Sequence, residues 1–561
     1  MTRTEDTVIN VDVLIVGAGP TGLMLANQLG RRGIKAMIID RHGGPAMQSR
    51  AMAVQARTLE IYAKLGVADQ AVALGAPGNG ANMWVHGQRR ARIPLKEIGE
   101  GLSPFPYVLM LGQDDNERIL GAYLRNWKMD VQWNTELVAL VQHREHVIAT
   151  IKGPDGRERV VHASYVAGCD GGRSAVREMN GIGFPGAPYD HVFFVADTEA
   201  TGPMVPNELN VYLYRDGFNL FFPMRQRNGW RVIGILPEEL RNRDGLEFEH
   251  LLPWLREETG RALSFRSCHW FSTYRIQHRC TERFRRGRCF LLGDAAHVHS
   301  PAGGQGMNTG LQDAYNLAWK LALVVSGRAG DSLLDSYEAE RMPVAQRLLN
   351  TTDRAFRLIV SKSWIAGVFR TRIVTRLVAT AMKRRAARRL AFMTLSQTGI
   401  RYPRSPLSRT VAAAPDAPQA GDRFPWVYLA FQAGGPREDV FQKMDDTRFT
   451  LLLFGQAAPV DGIPGFRDLV DVRAVATTPE NDAALRHLSI TGPAYYLVRP
   501  DGYVALAGSR FDETEVRLWF ADQHVHAASL AGISLRSNGA PAGIPLSRVG
   551  AGGAGAARRA S

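Results

Sequence analysis

The sequence predicts an α/β protein built on a dinucleotide-binding Rossmann unit, with further β-rich units inserted and appended. Near the amino end, the nearly continuous apolar run 11–16 leads into the glycine-rich segment 17–22 (GAGPTG). Much further along, the apolar run 290–292 precedes a second glycine-rich stretch at 303–306. A buried strand, a glycine-rich turn and a helix start, in this order, are typical of a phosphate-binding Rossmann turn.

The first glycine-rich segment has the spacing of a dinucleotide fingerprint. Gly17 permits a tight turn, Gly19 lets a pyrophosphate approach the backbone, and Gly22 lets the following helix pack closely on the strand. A second predicted strand ends at Asp40, 18 residues after Gly22, where a carboxylate can accept hydrogen bonds from a ribose. The residues predicted to contact the dinucleotide here are Gly17, Gly19, Pro20, Thr21, Gly22, Asp40 and Arg41.

Length and composition indicate an ordinary globular protein of several domains. The chain has 561 residues, of which 45% are hydrophobic and 22% charged, and this suggests about three or four units of ~150 residues. Its 4 cysteines form no CxxC pair and follow no zinc spacing, so neither a disulfide framework nor a redox dithiol is expected. Asp12 interrupts the apolar amino-terminal stretch, which therefore predicts a core strand of a cytoplasmic enzyme instead of a signal peptide or membrane span.

The net charge of +14 is concentrated in the basic stretch 362–389 and in the carboxyl-terminal tail. A basic helix can bind nucleic acid or an anionic membrane. We favour a solvated helix whose apolar residues pack inward, and we expect neither a nucleic-acid nor a membrane partner. The positive field would help to collect a pyridine nucleotide and phenolate substrates. The residues predicted to pack inward are Ile365, Val368, Phe369, Ile373, Leu377 and Val378.

Two further segments of the sequence, around Asp170 and Asp294, are considered together with the dinucleotide fingerprint. Asp294 lies two residues after the apolar run 290–292, and the segment 166–177 (VAGCDGGRSAVR) places Asp170 in an Asp-Gly turn. The three segments in this order resemble the FAD-binding motifs of the group A flavoprotein monooxygenases, such as phenol hydroxylase and 3-(3-hydroxyphenyl)propionate hydroxylase. Disulfide reductases and amine oxidases share only the first motif. The H-x-H pair at His297 and His299 has no third ligand nearby, so no metal is predicted.

The resemblance implies further contacts to FAD. In the family, the Asp170 motif supports the pyrophosphate region and the passage of the reduced nicotinamide. An arginine at the position of Arg50 reaches the flavin, and a glutamine at the position of Gln113 contacts the ribityl or phosphate region, although an ordinary surface residue is the competing interpretation for both. Pro301 would pack near the reactive face of the flavin. The FAD contacts implied in these segments are Arg50, Gln113, Asp170, Asp294, Pro301, Gly304, Gly306, Met307 and Asn308.

Substrate contacts are less clearly marked. The segment 274–279 (YRIQHR) is similar to one in phenol hydroxylase whose tyrosine contacts the substrate hydroxyl, so Tyr274 is predicted to orient or deprotonate a phenol. The acidic partner of that tyrosine would fall near Met52, where no carboxylate is present. His278 could replace it as base because an imidazole titrates near neutrality, with a structural histidine as the alternative. Candidates for lining the cavity, or else for the sheet core, are Tyr212, Phe221, Phe222 and Met224.

The resemblance also implies the domain organisation. A glutathione-reductase-type FAD-binding Rossmann domain (1–183 and 275–345) would hold an inserted antiparallel β-sheet substrate domain (184–274). A helical connector (346–401), a linker (402–425) and a C-terminal thioredoxin-like domain (426–537) would follow. That last domain contains no cysteine, so its expected role is structural, with a homodimer interface as one option. The tail 538–561 is too poor in apolar residues to fold.

The predicted function is an FAD-dependent monooxygenase that hydroxylates a phenolic or catecholic ring. In the resembled family, NADPH or NADH reduces FAD, O2 adds at flavin C4a, and the resulting hydroperoxide transfers one oxygen to the ring. Two alternatives keep this chemistry: a larger aromatic polyketide or antibiotic as substrate, or removal of a nitro or halide group from a substituted phenol or catechol. A flavin-dependent dehydrogenase or halogenase is a rival of another class, although the halogenase motif Trp-x-Trp-x-Ile-Pro is absent.

Overall fold

The computed structural model describes residues 8–528, apart from 47–50, 216, 225–228, 261, 300–303, 361–362, 364–366 and 368. Three sheets of five or more strands organise this part of the chain, and two small sheets accompany them. Within it, no helix combines the length and the apolar character needed to cross a membrane.

The first sheet has eight strands, five of which run parallel at its centre. Its middle strand Ile9–Val16 is nearly continuously apolar because a parallel strand is covered on both faces. The helix Pro20–Arg31 follows at once, with proline at its first position, where no backbone N–H is needed. In spatial order the strands are Arg285–Arg286, Cys289–Leu291, Glu158–Gly168, Ile9–Val16, Ala36–Ile39 and Val131–Gln132, with Val147–Lys152 and Glu136–Gln142 branching from Glu158–Gly168.

The second sheet is dominated by two long antiparallel strands, Gly186–Thr201 and Ser264–Cys280. It also takes in two strands from residues 81–93, a stretch that the predicted boundaries give to the FAD-binding domain. The strand that holds Tyr274 continues to Cys280, beyond the predicted end of the sheet. In spatial order the strands are His297–Val298, Ser264–Cys280, Gly186–Thr201, Gly229–Ile235, Gly217–Pro223, Leu209–Tyr214, Ala81–Val85 and Gln88–Ile93.

The third sheet lies near the carboxyl end, and its strands Phe449–Phe454 and Ala494–Val498 coincide with buried, largely apolar runs of the sequence. One of its faces packs on the helix Gly306–Val325, where the Trp319 and Phe449 ring centroids are 5.6 Å apart. In spatial order the strands are Arg409–Thr410, Val504–Gly508, Ala494–Val498, Phe449–Phe454 and Val470–Val475. The small sheets comprise Ala53–Val54, Val108–Met110 and Ala76–Gly78, and Tyr428–Ala430 with Arg437–Asp439.

Helices cover the first sheet and join it to the third. The helix Pro20–Arg31 packs against Gly306–Val325, and a core of buried side chains lies between them and the parallel strands. The remaining α-helices are Ala56–Leu65, Ala68–Leu74, Leu95–Gly99, Gln113–Tyr123, Ala175–Met179, Leu252–Thr259, Asp335–Val360, Thr375–Ala381, Arg385–Leu395, Val440–Lys443, Pro479–His487 and Glu513–Asp522, and Phe369–Val374 forms a π-helical turn.

The basic connector does not pack as its sequence predicts. Ile373 is 42% exposed and Leu377 is 57% exposed, so two of the residues expected to point inward face solvent. Phe369 and Val378 are half-buried, while Ile365 and Val368 lie outside the described residues. The π-helical turn Phe369–Val374 explains the difference: its wider turn rotates the side chains that follow, and the 3.6-residue period no longer predicts their direction.

Candidate active site

Three distant segments meet at one edge of the first sheet. They follow the strands Ile9–Val16, Glu158–Gly168 and Cys289–Leu291, which are parallel neighbours. The Cys169 N–H donates to the Val16 carbonyl at 2.7 Å, and the Leu292 N–H donates to the Gly168 carbonyl at 2.9 Å. Because the carboxyl ends of parallel strands share one edge, the three predicted motifs form a single surface there.

The glycines of the first segment have distinct geometries. Gly17 has a φ of +104°, and a side chain on it would overlap the Cys169 carbonyl. A Cβ at Gly22 would overlap the Gly17 carbonyl. Around Gly19, by contrast, a Cβ would meet no atom within 4 Å, so open space lies beside the start of the helix Pro20–Arg31. This free, electropositive position suits a pyrophosphate.

Asp40 closes the same turn. Its Oδ2 accepts a hydrogen bond from the Ala18 N–H at 2.7 Å, and its Oδ1 accepts from the His42 N–H at 2.8 Å. The neighbouring Arg41 is exposed. Thr21 lies against Gly293, so the first and second motifs are in contact.

The surroundings of Asp170 show whether the carboxyl edge of the first sheet could bind a cofactor. Its Oδ2 accepts from the Val176 N–H at 3.2 Å, whereas its Oδ1 is buried with no hydrogen-bond partner among the described residues. Burial raises the pKa of this carboxyl group. A buried acceptor without a partner is costly, so this atom fits a hydrogen bond from a bound cofactor. Arg177 anchors the motif by donating to the Ala295 and Gly172 carbonyls at 3.1 and 2.9 Å.

A buried carboxylate that sequence reasoning missed supports the Asp294 loop. Asp313 accepts from the Gly293 N–H at 3.0 Å, and it pairs with His297 at 2.8 Å and Arg341 at 2.6 Å. Burial alone would raise the pKa of Asp313, but Arg341 and His297 outweigh it and hold that pKa below its usual value. The His297 imidazole is therefore held within hydrogen-bond distance of Asp313, and Asp294 itself is exposed at the edge.

The second glycine-rich stretch opens the helix Gly306–Val325. Gly304 has a φ of +61°, and the first N–H groups of the helix lack intrahelical partners. The Asn308 side chain turns away from this end and fastens the segment 53–58: its Oδ1 accepts from the Gln55 N–H and the Thr58 hydroxyl at 2.9 and 2.8 Å. Its Nδ2 donates to the Ala53 and Gly304 carbonyls at 2.8 Å each.

Gln113 begins the helix that approaches this edge from the other side. Its Nε2 donates to Glu117 at 2.9 Å, and Glu117 also accepts from the Ala46 N–H at 2.7 Å. Burial raises the pKa of Glu117. Met307 contacts the same helix, with its Sδ 3.5 Å from the Asn116 Nδ2. The predicted contacts Arg50 and Pro301 lie outside the described residues.

A cavity of about 340 Å³ separates these segments from the second sheet. Met52, Leu111 and Gly112 form part of one wall, and Arg231 and Trp270 form part of the other. The Arg231 guanidinium makes two 2.6 Å hydrogen bonds to Asp197 and lies 5.2 Å from the Trp270 ring centroid. The full lining comprises Met52, Leu74, Ala76, Met110, Leu111, Gly112, Asp114, Asp115, Asp197, Pro223, Met224, Arg231, His269 and Trp270.

Sequence reasoning missed Arg231, Asp197 and Trp270, which are direct neighbours on three adjacent strands. The signal available was Arg231, the one charged residue in the otherwise apolar strand Gly229–Ile235. Of the four lining candidates, Met224 borders the cavity, whereas Tyr212 and Phe221 are buried in the core on the opposite face of the sheet.

Tyr274 and His278 lie further along the strand that carries Trp270. The Tyr274 ring centroid is 6.1 Å from that of Phe193, and the His278 ring centroid is 4.9 Å from that of Tyr189. Burial raises the pKa of Tyr274 to about 12, with Arg231 acting in the opposite direction. The Nδ1 of His278 is buried without a hydrogen-bond partner among the described residues.

Comparison with known proteins identifies the family. Residues 10–352 match the FAD binding domain family, and residues 417–523 match the family described as aromatic-ring hydroxylase, C-terminal. The 6-methylpretetramide 4-monooxygenase of Streptomyces rimosus is 34% identical over 529 residues, which cover 90% of this chain and 91% of the relative. Pentachlorophenol 4-monooxygenase of Sphingobium chlorophenolicum is 32% identical over 471 residues, 82% of each chain.

A solved structure of the same kind carries the cofactor. The ternary complex of aklavinone-11 hydroxylase with FAD and aklavinone superposes with a TM-score of 0.75 and 26% identity, over 94% of this chain and 100% of that one. The chain belongs to the FAD-dependent aromatic hydroxylases. It is an FAD-dependent monooxygenase with a mixed α/β fold, as its sequence predicted.

Proposed function

We propose that the protein hydroxylates a phenol-bearing aromatic substrate of more than one ring, with NADPH or NADH as reductant. The observation that carries this proposal is the cavity between the second sheet and the segment around Met52 and Leu111. Its volume of about 340 Å³ lies within the range of pockets for drug-sized ligands. Relatives named for 6-methylpretetramide and anhydrotetracycline support a multi-ring substrate.

The distance between Trp270, which lines the cavity, and Tyr274, which lies beyond the lining on the same strand, supports the same conclusion. Trp270 and Tyr274 are four residues apart on one strand, a separation of ~13 Å at the usual rise per residue. A single phenol ring cannot reach both, whereas a fused multi-ring system lying along the strand can. The apolar part of the lining, including Met110 and Met224, would exclude water from the reacting ring.

The roles proposed for these residues of the second sheet follow from charge and protonation. The bound FAD supplies hydride acceptance and O2 activation. Arg231 provides a fixed positive charge that favours the phenolate, and Asp197 holds its guanidinium in place. Tyr274 stays protonated near neutrality because of its raised pKa, so it would donate a hydrogen bond to the substrate oxygen. His278 remains the candidate base.

The proposed cofactor contacts combine the sequence motifs with their observed geometry. The pyrophosphate would lie beside Gly19, the ribose at Asp40, and the flavin at the first N–H groups of the helix Gly306–Val325. Asp170 would accept a hydrogen bond through its unpartnered oxygen, and Gln113 and Asp294 would approach the ribityl chain. We retain the proposed division into an FAD-binding domain, a β-sheet substrate domain, a helical connector and a C-terminal thioredoxin-like domain.

A substrate panel tests the proposed function. The purified holoenzyme is mixed with NADPH or NADH, and O2 uptake is followed with anhydrotetracycline, aklavinone, phenol or pentachlorophenol as effector. We expect the multi-ring phenols to stimulate O2 uptake and to gain one oxygen atom by mass spectrometry. Stimulation by the single-ring phenols alone, with halide release, would favour the dehalogenating alternative. Substrate oxidation without O2 dependence would contradict monooxygenation.

A further inference from the structure

The connector forms an unusually basic surface. Residues 369–395 contain eight lysines or arginines and no aspartate or glutamate. Seven of these cations have described side chains, and within the described part of the chain none of the seven forms an ion pair or a side-chain hydrogen bond. They are Arg372, Arg376, Lys383, Arg384, Arg385, Arg388 and Arg389, and all but Arg388, which is half-buried, are exposed.

Aliphatic side chains stand exposed among these cations. Ile373 is 42% exposed, Leu377 is 57% exposed, and Leu390 is 68% exposed. Leu377 lies on the helix Thr375–Ala381 and Leu390 on the next helix, Arg385–Leu395. Single exposed aliphatic side chains are common on protein surfaces, but here three of them fall within eighteen residues of the sequence that also carry all the connector cations except Arg370 and Arg372.

The neighbouring strand enlarges the positive charge. Gln88–Ile93, the edge strand of the second sheet, packs beside Thr375–Ala381 and exposes Arg89 and Arg90. The carboxylate beside this edge, Glu208, is already engaged by Arg92 at 2.6 Å and by the Asn82 side chain at 2.8 Å. Among the carboxylates whose side chains are described, none forms an ion pair with Arg89, Arg90 or the seven connector cations.

We propose that this surface docks on an anionic lipid bilayer. Arginines would bind lipid phosphates while Leu377 and Leu390 enter the headgroup boundary, the combination that defines an interfacial helix. Duplex DNA would satisfy the arginines but leave the leucines in water, and the described part of the surface exposes no aromatic ring for stacking on single strands. A second copy of the chain would bring like charges together. This proposal differs from the sequence prediction that the protein has no membrane partner.

Vesicle sedimentation of the holoenzyme tests the proposal. We expect binding to phosphatidylcholine vesicles that contain about 30% phosphatidylglycerol, weaker binding at high salt, and none to pure phosphatidylcholine. Exchanging Arg385, Arg388 and Arg389 together for glutamine should weaken binding by about fivefold per charge, roughly a hundredfold in all. The double substitution Leu377→Gln and Leu390→Gln leaves the charge intact and should weaken binding by at least about tenfold.

Matched controls separate docking from folding. Leu518→Gln removes a 47% exposed leucine from the helix Glu513–Asp522 and should not change vesicle binding. All variants should retain bound FAD and wild-type NAD(P)H oxidation in the absence of vesicles. Equal binding to neutral and anionic vesicles would overturn the proposal. The proposal would also be overturned if the protein bound duplex DNA more tightly than vesicles at the same phosphate concentration, and if the leucine substitutions did not change that DNA binding.

Discussion

The cavity wall shows how a few buried side chains shape the chemistry available to a substrate. The side chains of Arg231 and Asp197 are only 4% and 14% exposed, so their pairing takes place largely away from water. Removing either partner would leave the other with an uncompensated, largely buried charge. The same cation also opposes the raised pKa of Tyr274. Arg231 would act on a bound phenol in the same direction, by favouring its ionised form.

The substitution Arg231→Met should therefore change both affinity and pH dependence. We expect kcat/KM to fall by about a hundredfold, a loss typical of removing a buried charged partner. The pKa of the bound phenol should rise without the cation, so the acidic limb of the kcat/KM profile should move to higher pH. Steady-state O2 uptake across pH measures both effects. Arg243→Met, at an exposed position, serves as control, and an unshifted profile would rule out the electrostatic role.

At the scale of elements, the helix Gly306–Val325 connects the parts of the site. Its start lies at the carboxyl edge of the first sheet, its Asn308 fastens the segment 53–58, and its Asp313 supports the loop of Asp294. Further along, Trp319 packs against the third sheet. A substitution at any of these contacts would shift the packed helix Gly306–Val325, and with it the helix start at the proposed flavin position.

Asn308→Ala should loosen this arrangement. The substitution removes the four hydrogen bonds that the Asn308 side chain makes to the Gln55 N–H, the Thr58 hydroxyl and the Ala53 and Gly304 carbonyls. We expect a loss of about 3 kcal/mol in the free energy of unfolding, together with weaker FAD retention, because the helix start would shift. Denaturant unfolding and flavin fluorescence measure the two effects. Thr351→Ala, on an exposed helix position, is the control. If both variants have the same free energy of unfolding, the Asn308 hydrogen bonds do not stabilise the fold more than an exposed hydrogen bond does.

At the scale of the whole molecule, the carboxyl-terminal part completes buried ion pairs of the rest of the chain. Arg499 contacts Glu340 through two hydrogen bonds of 2.5 and 3.0 Å, and Lys320 pairs with the same carboxylate at 2.8 Å. Arg423 reaches Glu60 in the same way, at 2.5 and 2.9 Å. The carboxyl-terminal part has no cysteine and so no thiol chemistry. These buried ion pairs give it a structural role, which is to stabilise the rest of the chain.

Arg499→Met tests this role. Because Glu340 would keep only part of its compensation, we expect a loss of about 3–5 kcal/mol in the free energy of unfolding. The exposed pair of Arg409 and Glu515 offers a matched control, since Arg409→Met should cost at most about 1 kcal/mol. Denaturant midpoints of the two variants give the comparison. Equal midpoints would show that the buried pair does not hold the two parts together.

The same network predicts acid sensitivity. The pKa values of Glu60 and Glu340 are lowered: burial would raise them, but for Glu60 the charges of Arg423 and Arg57 outweigh it, and for Glu340 those of Arg499 and Lys320. A carboxylate whose pKa is lower in the folded protein than in the unfolded chain stabilises the fold. This stabilisation is fully present above the pKa of the unfolded chain, about 4.3 for glutamate, and it is lost as the pH falls through the pKa of the folded protein. The free energy of unfolding should thus fall steadily below about pH 5. Stability that is constant from neutrality to about pH 3 would contradict this prediction.

Much of the fold was predictable because its signals are local. The nearly continuous apolar run 11–16, followed by glycine-rich turn residues, predicted the strand Ile9–Val16 within two residues. Glycine spacing predicted the turn after Val16, since only residues without a Cβ fit beside the Cys169 carbonyl. The π-helical turn was not predictable, because its sequence has the same apolar period as a regular helix.

By itself, the sequence determined the cofactor class and the oxidative chemistry, because each motif is a short segment whose residues act within a few positions of one another. Only the tertiary structure decided which distant side chains meet. Strand register placed Arg231 beside Asp197 and turned Phe221 away from the cavity. Helix packing placed Asp313 beneath Gly293. A lone charged residue looks the same in sequence whether it faces solvent or a buried partner, because its partner is chosen by the fold.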